Sequence, residues 1–282
     1  MPKHYEALQR AEEERRRKVS GVDAGLPAAV SFEGATPSPS PRSRGAGLLA
    51  RLFRDRRAAS VEDPGEANKR RIALLQPDSY VAEQYRTLRG RIDSLASQRP
   101  LKTIAVTSAN SGEGKSTCSV NLATVTAMSV GRSVLLVDCD LRRPKVHWTL
   151  GLQPRVGLAE ILMNQATLDE AIQKLDGVNL DVLPVRTIPK NPSELLASPE
   201  MRKLIEEVAV RYDRVILDTP ACLGLPDAKS VSELTDGLVM VVRADVTPQE
   251  DVQAALDILD RRRVIGLVLN GSEATREQYG YY

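Results

Sequence analysis

The stretch covering residues 103–117 (TIAVTSANSGEGKST) constrains this chain more than any other. An apolar run at 103–107 has strand character. It ends in a short loop holding Gly112 and Gly114, and Lys115, Ser116 and Thr117 then open a helix-compatible stretch. Strand, glycine-containing loop and helix start, in that order, are the context of a P-loop. The glycines let backbone N–H groups turn inward around phosphate oxygens. The helix N-terminus adds the positive end of its dipole. Lys115 then reaches the outer phosphates, and the Ser116 hydroxyl is a ligand for Mg²⁺. The segment Ser111, Gly112, Glu113, Gly114, Lys115, Ser116 and Thr117 is therefore the candidate phosphate cradle of a nucleotide, read as ATP. Ala109 stands where the usual pattern has its first glycine.

The surrounding pattern supports an α/β reading. Short aliphatic runs at 103–107, 133–137, 180–183, 214–217, 237–242 and 265–269 alternate with helical stretches near 79–97, 115–130, 157–164, 198–211 and 247–262. Such alternation predicts a doubly wound, mostly parallel sheet covered on both faces. With aromatic residues at only 4% of the chain, its core has to be aliphatic. Ligands of these sheets bind beyond the carboxyl ends of the strands, so the chemistry is expected just after residues 107, 137 and 217. Two aspartate motifs fall there: Val137-Asp138-Cys139-Asp140 and Leu217-Asp218-Thr219-Pro220. Carboxylates at those ends suit Mg²⁺ or its bound water, and one can accept a proton from an attacking hydroxyl. Spacing alone leaves open which aspartate ligates and which acts as base, and each taken singly could be a helix cap or turn residue.

The rest of the chain sets limits. Residues 1–18 read as a short helix with Glu12–Arg16, Glu13–Arg17 and Glu14–Lys18 pairs, and residues 19–71 as a flexible linker. Within that linker, residues 47–58 interleave Leu48, Leu49, Leu52 and Phe53 with Arg51, Arg54, Arg56 and Arg57. This is a basic amphipathic segment suited to an anionic membrane surface or a partner. Residues 72–271 form the P-loop domain and 272–282 a tail. Net charge is +2 overall, with 15 Lys+Arg against 10 Asp+Glu in residues 1–71. That balance points to no nucleic-acid partner. The three cysteines, Cys118, Cys139 and Cys222, lack metal-ligand spacing and read as reduced thiols. No run approaches a membrane span and the N-terminus lacks a signal-peptide pattern, so the expected location is cytoplasmic.

Taken together, residues 107–117, 135–144 (LLVDCDLRRP) and 215–220 (VILDTP) resemble the Walker A, Walker A′ and Walker B motifs of the bacterial tyrosine kinases. These P-loop autokinases regulate capsule and exopolysaccharide synthesis. The resemblance spans residues 72–282 and includes 191–196 (NPSELL) and 266–270 (GLVLN). It implies a fold of the deviant Walker group, shared with partition and septum-positioning ATPases. Those relatives carry a lysine where this chain has Asn110. The resemblance also implies roles. Lys115, Asp138 and Asp140 are catalytic; Ser116, Asp138 and Asp218 hold Mg²⁺; Asn270 joins the P-loop residues in binding the nucleotide.

Two further features take meaning from the family. Glu83, Arg86 and Arg89 match its Glu-x-x-Arg-x-x-Arg motif, used in ring-like association of subunits. Read without the family, the same residues are a charged stripe on neighbouring helical turns. At the other end, Tyr279, Tyr281 and Tyr282 are candidate phosphoacceptors on a terminus free to enter a neighbour's active site. Ser111 replaces a common proline, and Ala221 a second proline after Pro220. The resemblance implies a separate membrane adaptor of the polysaccharide co-polymerase type, with the chain peripheral at the inner face of the membrane. The expected activity is ATP-dependent autophosphorylation on tyrosine between subunits. An ATPase switch, or a nucleotide-gated scaffold of polysaccharide export without kinase activity, are the alternatives.

Overall fold

The computed structural model describes residues 71–272. These lie in the second of the chain's two contact units, 61–282; the first, 1–60, falls outside them. The expected helix at 1–18, the linker with its basic segment 47–58, and Tyr279, Tyr281 and Tyr282 also lie outside the described residues.

Seven strands form one sheet: β1 (Thr103–Ser108), β2 (Val134–Asp138), β3 (Gln173–Leu175), β4 (Leu180–Leu183), β5 (Arg214–Asp218), β6 (Gly237–Arg243) and β7 (Val264–Asn270). Their order is β3-β4-β2-β5-β1-β6-β7. Every pairing is parallel except β3 with β4. The helices are α1 (Ile72–Leu75), α2 (Tyr80–Ala96), α3 (Lys115–Ala127), α4 (Val146–Leu150), α5 (Leu158–Leu162), α6 (Leu168–Ala171), α7 (Pro192–Leu196), α8 (Pro199–Arg211), α9 (Asp227–Ser232) and α10 (Gln249–Ile258).

The pleat explains the two-faced core. Successive strand residues point to opposite faces, and here both faces are apolar. Val134 and Leu136 of β2 join Ile104, Val106 and Ile216 against Cys118, Leu122 and Val125 of α3 and Ile92 of α2. Leu135 and Val137 point the other way with Val215 and Leu217, against Met201, Leu204, Ile205 and Val208 of α8. Beside them on the same face, Ala105, Leu238 and Met240 meet Ala255 of α10. The predicted aliphatic, doubly wound and mostly parallel sheet is the one found. All three cysteines are buried and free.

Helix starts follow local chemistry. Ser79 caps α2 by accepting the Ala82 N–H at 3.2 Å, and Ser198 caps α8 by accepting from Met201, with Pro199 in the first turn. Such hydroxyl caps contribute about 1 kcal/mol each. The helix that starts without a side-chain cap at a positive-φ glycine is α3, the P-loop helix.

The phosphate cradle and its aspartates

Three adjacent strands, β2, β5 and β1, deliver the three motifs to one edge. Asp138 pairs in register with Asp218, and Val106 with Asp218 on the other side. The turns beyond the strands are tied together. Cys139 N–H donates to the Asp218 carbonyl at 2.8 Å, and Thr219 N–H to the Val106 carbonyl at 3.0 Å. The Thr107 hydroxyl donates to the Pro220 carbonyl at 2.8 Å. The edge is thus fixed by two main-chain contacts and one hydroxyl contact before any ligand arrives.

The loop between β1 and α3 has the shape its glycines predict. Gly112 and Gly114 take φ of 87° and 94°, a left-handed region closed to ordinary residues. Gly114 is also the N-cap of α3, so the N–H groups of its first turn have no side-chain partner at the cap. That is the arrangement for an anion. A Cβ on Gly114 would stand 2.0 Å from Asn270 Nδ2, so two constraints fix glycine there. Ala109 needs no glycine geometry; it is fully buried in the core beside α10. Ser111 and Gly112 are exposed, whereas Glu113 and Lys115 are buried.

The aspartates divide into two kinds. Asp138 is fully buried, and both of its oxygens accept backbone N–H groups. Oδ1 takes Asp140 N–H at 3.1 Å, and Oδ2 takes Lys145 and Val146 N–H at 3.2 and 3.1 Å. It therefore anchors the turn that starts α4 as well as facing the site. Burial, and then the neighbouring Asp218 charge, push its pKa well above the usual carboxylate range, against those N–H donors. Asp218 is different. Its Oδ1 accepts the Ser119 hydroxyl at 3.0 Å, while its buried Oδ2 has no hydrogen-bond partner among the described residues. Burial raises its pKa to about 6, with the Lys115 ammonium and the Ser116 and Ser119 hydroxyls pulling it back. Asp140 is also buried, at 8% exposure, and its Oδ1 accepts the Arg143 N–H at 2.9 Å.

Two acidic groups in paired register, one with an unpartnered oxygen beside a lysine and a serine hydroxyl, make a site short of positive charge. A hard divalent cation fits that donor set. Among the described residues no group of three or more His, Cys, Asp or Glu is arranged as a metal cage. An ion here would therefore depend on Ser116 and on phosphate oxygens brought by the ligand, the usual habit of Mg²⁺.

Asn270 reaches the same loop from the end of β7. Its Nδ2 donates to the Glu113 carbonyl at 2.9 Å. The stripe on α2 is only partly free. Arg86 pairs with Glu83 at 2.8 Å and donates to the Pro77 carbonyl. Arg89 turns inward, donating to the Val125 carbonyl at 2.6 Å and the Ser129 hydroxyl at 2.7 Å, at the C-terminal end of α3.

Sequence reading missed one network at this edge. Arg142 Nε donates to Asp227 Oδ2 at 2.7 Å, and the Ser193 hydroxyl to Asp227 Oδ1 at 2.6 Å. It ties the turn after β2 to α7 and α9. Ser193 lies in the 191–196 segment already singled out, but nothing in the pattern marked Asp227.

The chain is similar to known proteins in sequence and in fold. A family model described as an AAA domain matches residues 101–261. Tyrosine-protein kinase YwqD of Bacillus subtilis is 40% identical over 214 residues, covering 75% of this chain and 90% of that protein. The succinoglycan biosynthesis transport protein ExoP of Rhizobium meliloti is 32% identical over 231 residues, 75% of this chain but 29% of that longer protein. The solved kinase domain of Escherichia coli tyrosine kinase ETK superposes with a TM-score of 0.67 at 31% identity, covering 75% of this chain and 84% of that one.

Proposed function

The chain belongs to the bacterial tyrosine-protein kinase family, a group of nucleotide-binding P-loop proteins, and from that premise we propose that it transfers the γ-phosphate of MgATP to tyrosines in the C-terminal tail of a neighbouring subunit. The setting is exopolysaccharide or capsule synthesis. The observation that carries this reading is the convergence, at one sheet edge, of the uncapped α3 N-terminus and Lys115 with the under-coordinated Asp218.

The chemistry follows from those positions. First-turn N–H groups of α3 and the loop amides bind the phosphate chain. Lys115 stabilises the charge on the transferring group. Mg²⁺, held by Ser116 with Asp218 and Asp138 behind it, would neutralise phosphate charge. The tyrosine oxygen attacks the γ-phosphorus, the bond from phosphorus to the β–γ bridging oxygen breaks, and ADP leaves. The tyrosine proton passes to a carboxylate. Asp140, which accepts one N–H group, is better placed for that than Asp138, whose oxygens are engaged by three. Asn270, beside the cradle, contributes to the nucleotide site.

The acceptors are Tyr279, Tyr281 and Tyr282, reached in trans within a ring-like homo-oligomer built through Glu83 and Arg86. No helix among the described residues is long and apolar enough to cross a membrane. In this reading a separate membrane adaptor of the polysaccharide co-polymerase type activates the chain, which works at the inner face of the membrane. Purified protein incubated with MgATP, with and without the adaptor's cytoplasmic segment, tests this by phosphotyrosine blotting. A signal that depends on Lys115 is expected. Its absence under both conditions would favour an ATPase switch.

A further inference from the structure

The P-loop is held from behind by side chains to which the phosphate motif assigns no role. Glu113 is 3% exposed. Oε1 accepts the Thr247 hydroxyl at 2.6 Å, and Oε2 accepts the Asn110 N–H at 3.1 Å. Thr247 in turn accepts the Arg243 N–H at 3.0 Å, which anchors its hydroxyl to the end of β6. A second tie runs alongside, from Asn110 Nδ2 to Asp251 Oδ2 of α10 at 2.7 Å. The loop is thereby fastened at two points, to the β6–α10 connection through Thr247 and to α10 itself through Asp251.

We infer that Thr247, acting through Glu113, is a positioning residue that holds the P-loop in its phosphate-receiving shape before the nucleotide arrives, with Asp251 as a second anchor. The physical case rests on the glycines. Gly112 and Gly114 make the loop able to take its left-handed turns, and the same freedom lets it leave them. Fixing one residue's backbone costs about 1–2 kcal/mol. A loop already fixed by buried hydrogen bonds spares the ligand that cost, which is preorganisation. The chemistry of the ties is specific. A carboxylate is an acceptor at both oxygens, and here it meets two donors; an amide in its place would turn an NH₂ toward one of them. Thr247 both donates to the carboxylate and accepts from the main chain, so valine, of similar shape, breaks both bonds.

This inference rests on the MgATP reading of the cradle, and its test keeps the two apart. In the full-length chain, Thr247→Val, Thr247→Ser, Glu113→Gln and the Thr247→Val/Glu113→Gln pair are compared with the parent by titration with a fluorescent ADP analogue and by autokinase KM and kcat. Thr247→Val is expected to raise the dissociation constant and the KM for ATP about 5- to 20-fold, the scale of losing the buried bond to the Glu113 carboxylate, with kcat at saturating ATP within about twofold. Thr247→Ser should restore the parent values. The double variant should lose no more than the worse single one, because both lesions cut the same tie. If Thr247→Val lowers the melting temperature sharply, Asp251→Ala, which removes the acceptor of the Asn110 amide, serves as the second lesion and should show the same rise in KM alone. Parent-like binding in Thr247→Val or Asp251→Ala, a fall in kcat at unchanged KM, or additive losses in the pair would each overturn the inference. A parent protein that binds no nucleotide would overturn the cradle itself.

Discussion

Asp138 and Asp218 occupy directly paired positions at the carboxyl ends of adjacent parallel strands, both fully or almost fully buried. Side by side without a cation, they disfavour each other's charge, and burial adds to the cost. The site is thus built for what it binds rather than for the stability of the empty protein.

That arrangement has a measurable sign. The Asp218 pKa is pushed up to about 6 in the folded protein, against about 3.9 in an unfolded chain. Between these values the folded state keeps a proton that the unfolded state has released. The contribution of this group to the stability of the nucleotide-free protein is therefore greatest below about pH 4, falls as pH rises to about 6, and is level above. Asp218→Asn removes the buried charge while its amide oxygen can still accept the Ser119 hydroxyl. Thermal unfolding from about pH 4 to 8 should show this variant more stable than the parent at neutral pH, by about 2–4 °C for each kcal/mol relieved, with the gap closing toward about pH 4. The same variant should lose its stabilisation by Mg²⁺ and nucleotide. An Asn variant that melts lower at every pH would contradict the account.

The α2 stripe should separate into two functions. Arg89 spans to the C-terminal end of α3, so Arg89→Ala is expected to cost about 1–2 kcal/mol of stability, read as a shifted urea midpoint. Glu83 and Arg86 are exposed or partly so and pair with each other. Their joint replacement by alanine should leave the urea midpoint within about 0.5 kcal/mol of the parent while abolishing association in light scattering. Intact oligomers from that double variant would remove α2 from the assembly surface.

The Arg142–Asp227–Ser193 network holds the turn that carries Asp140. Asp227→Ala removes the acceptor of the Ser193 hydroxyl and of Arg142 Nε and leaves these two side chains only their bond to each other. It should lower stability by about 1–3 kcal/mol and reduce autokinase kcat together with it. Asp227→Asn, which keeps one acceptor, should fall between. An unchanged kcat in Asp227→Ala would show that this turn needs no such support.

Much of the edge was legible in the chain because its signals are local. The aliphatic runs ending at 107, 137 and 217 each stop at a chemically marked residue, and buried parallel strands read as continuous apolar stretches. The register that sets Asp138 beside Asp218 was not legible, because strand order is a long-range property. Strand β3, Gln-Lys-Leu on the antiparallel edge, has neither length nor apolar pattern. The short helices α1, α4, α6, α7 and α9 span 4–6 residues, too few for a helical period to show. Arg89 looked like a surface charge because the carbonyl it caps lies 36 residues away. The tie from Glu113 to Thr247 crosses 134 residues, and no spacing rule reaches that far.

The most direct measurement is mass spectrometry of the C-terminal peptide containing Tyr279, Tyr281 and Tyr282, from the parent and from Lys115→Met, each incubated with MgATP and the adaptor's cytoplasmic segment. The account predicts phosphate on at least one of these tyrosines in the parent and a loss of about 10²-fold or more in Lys115→Met. Mixing an excess of a tail-less but catalytically intact chain with Lys115→Met should restore the modification in trans. An unmodified peptide in the parent, or equal modification in Lys115→Met alone, would contradict it.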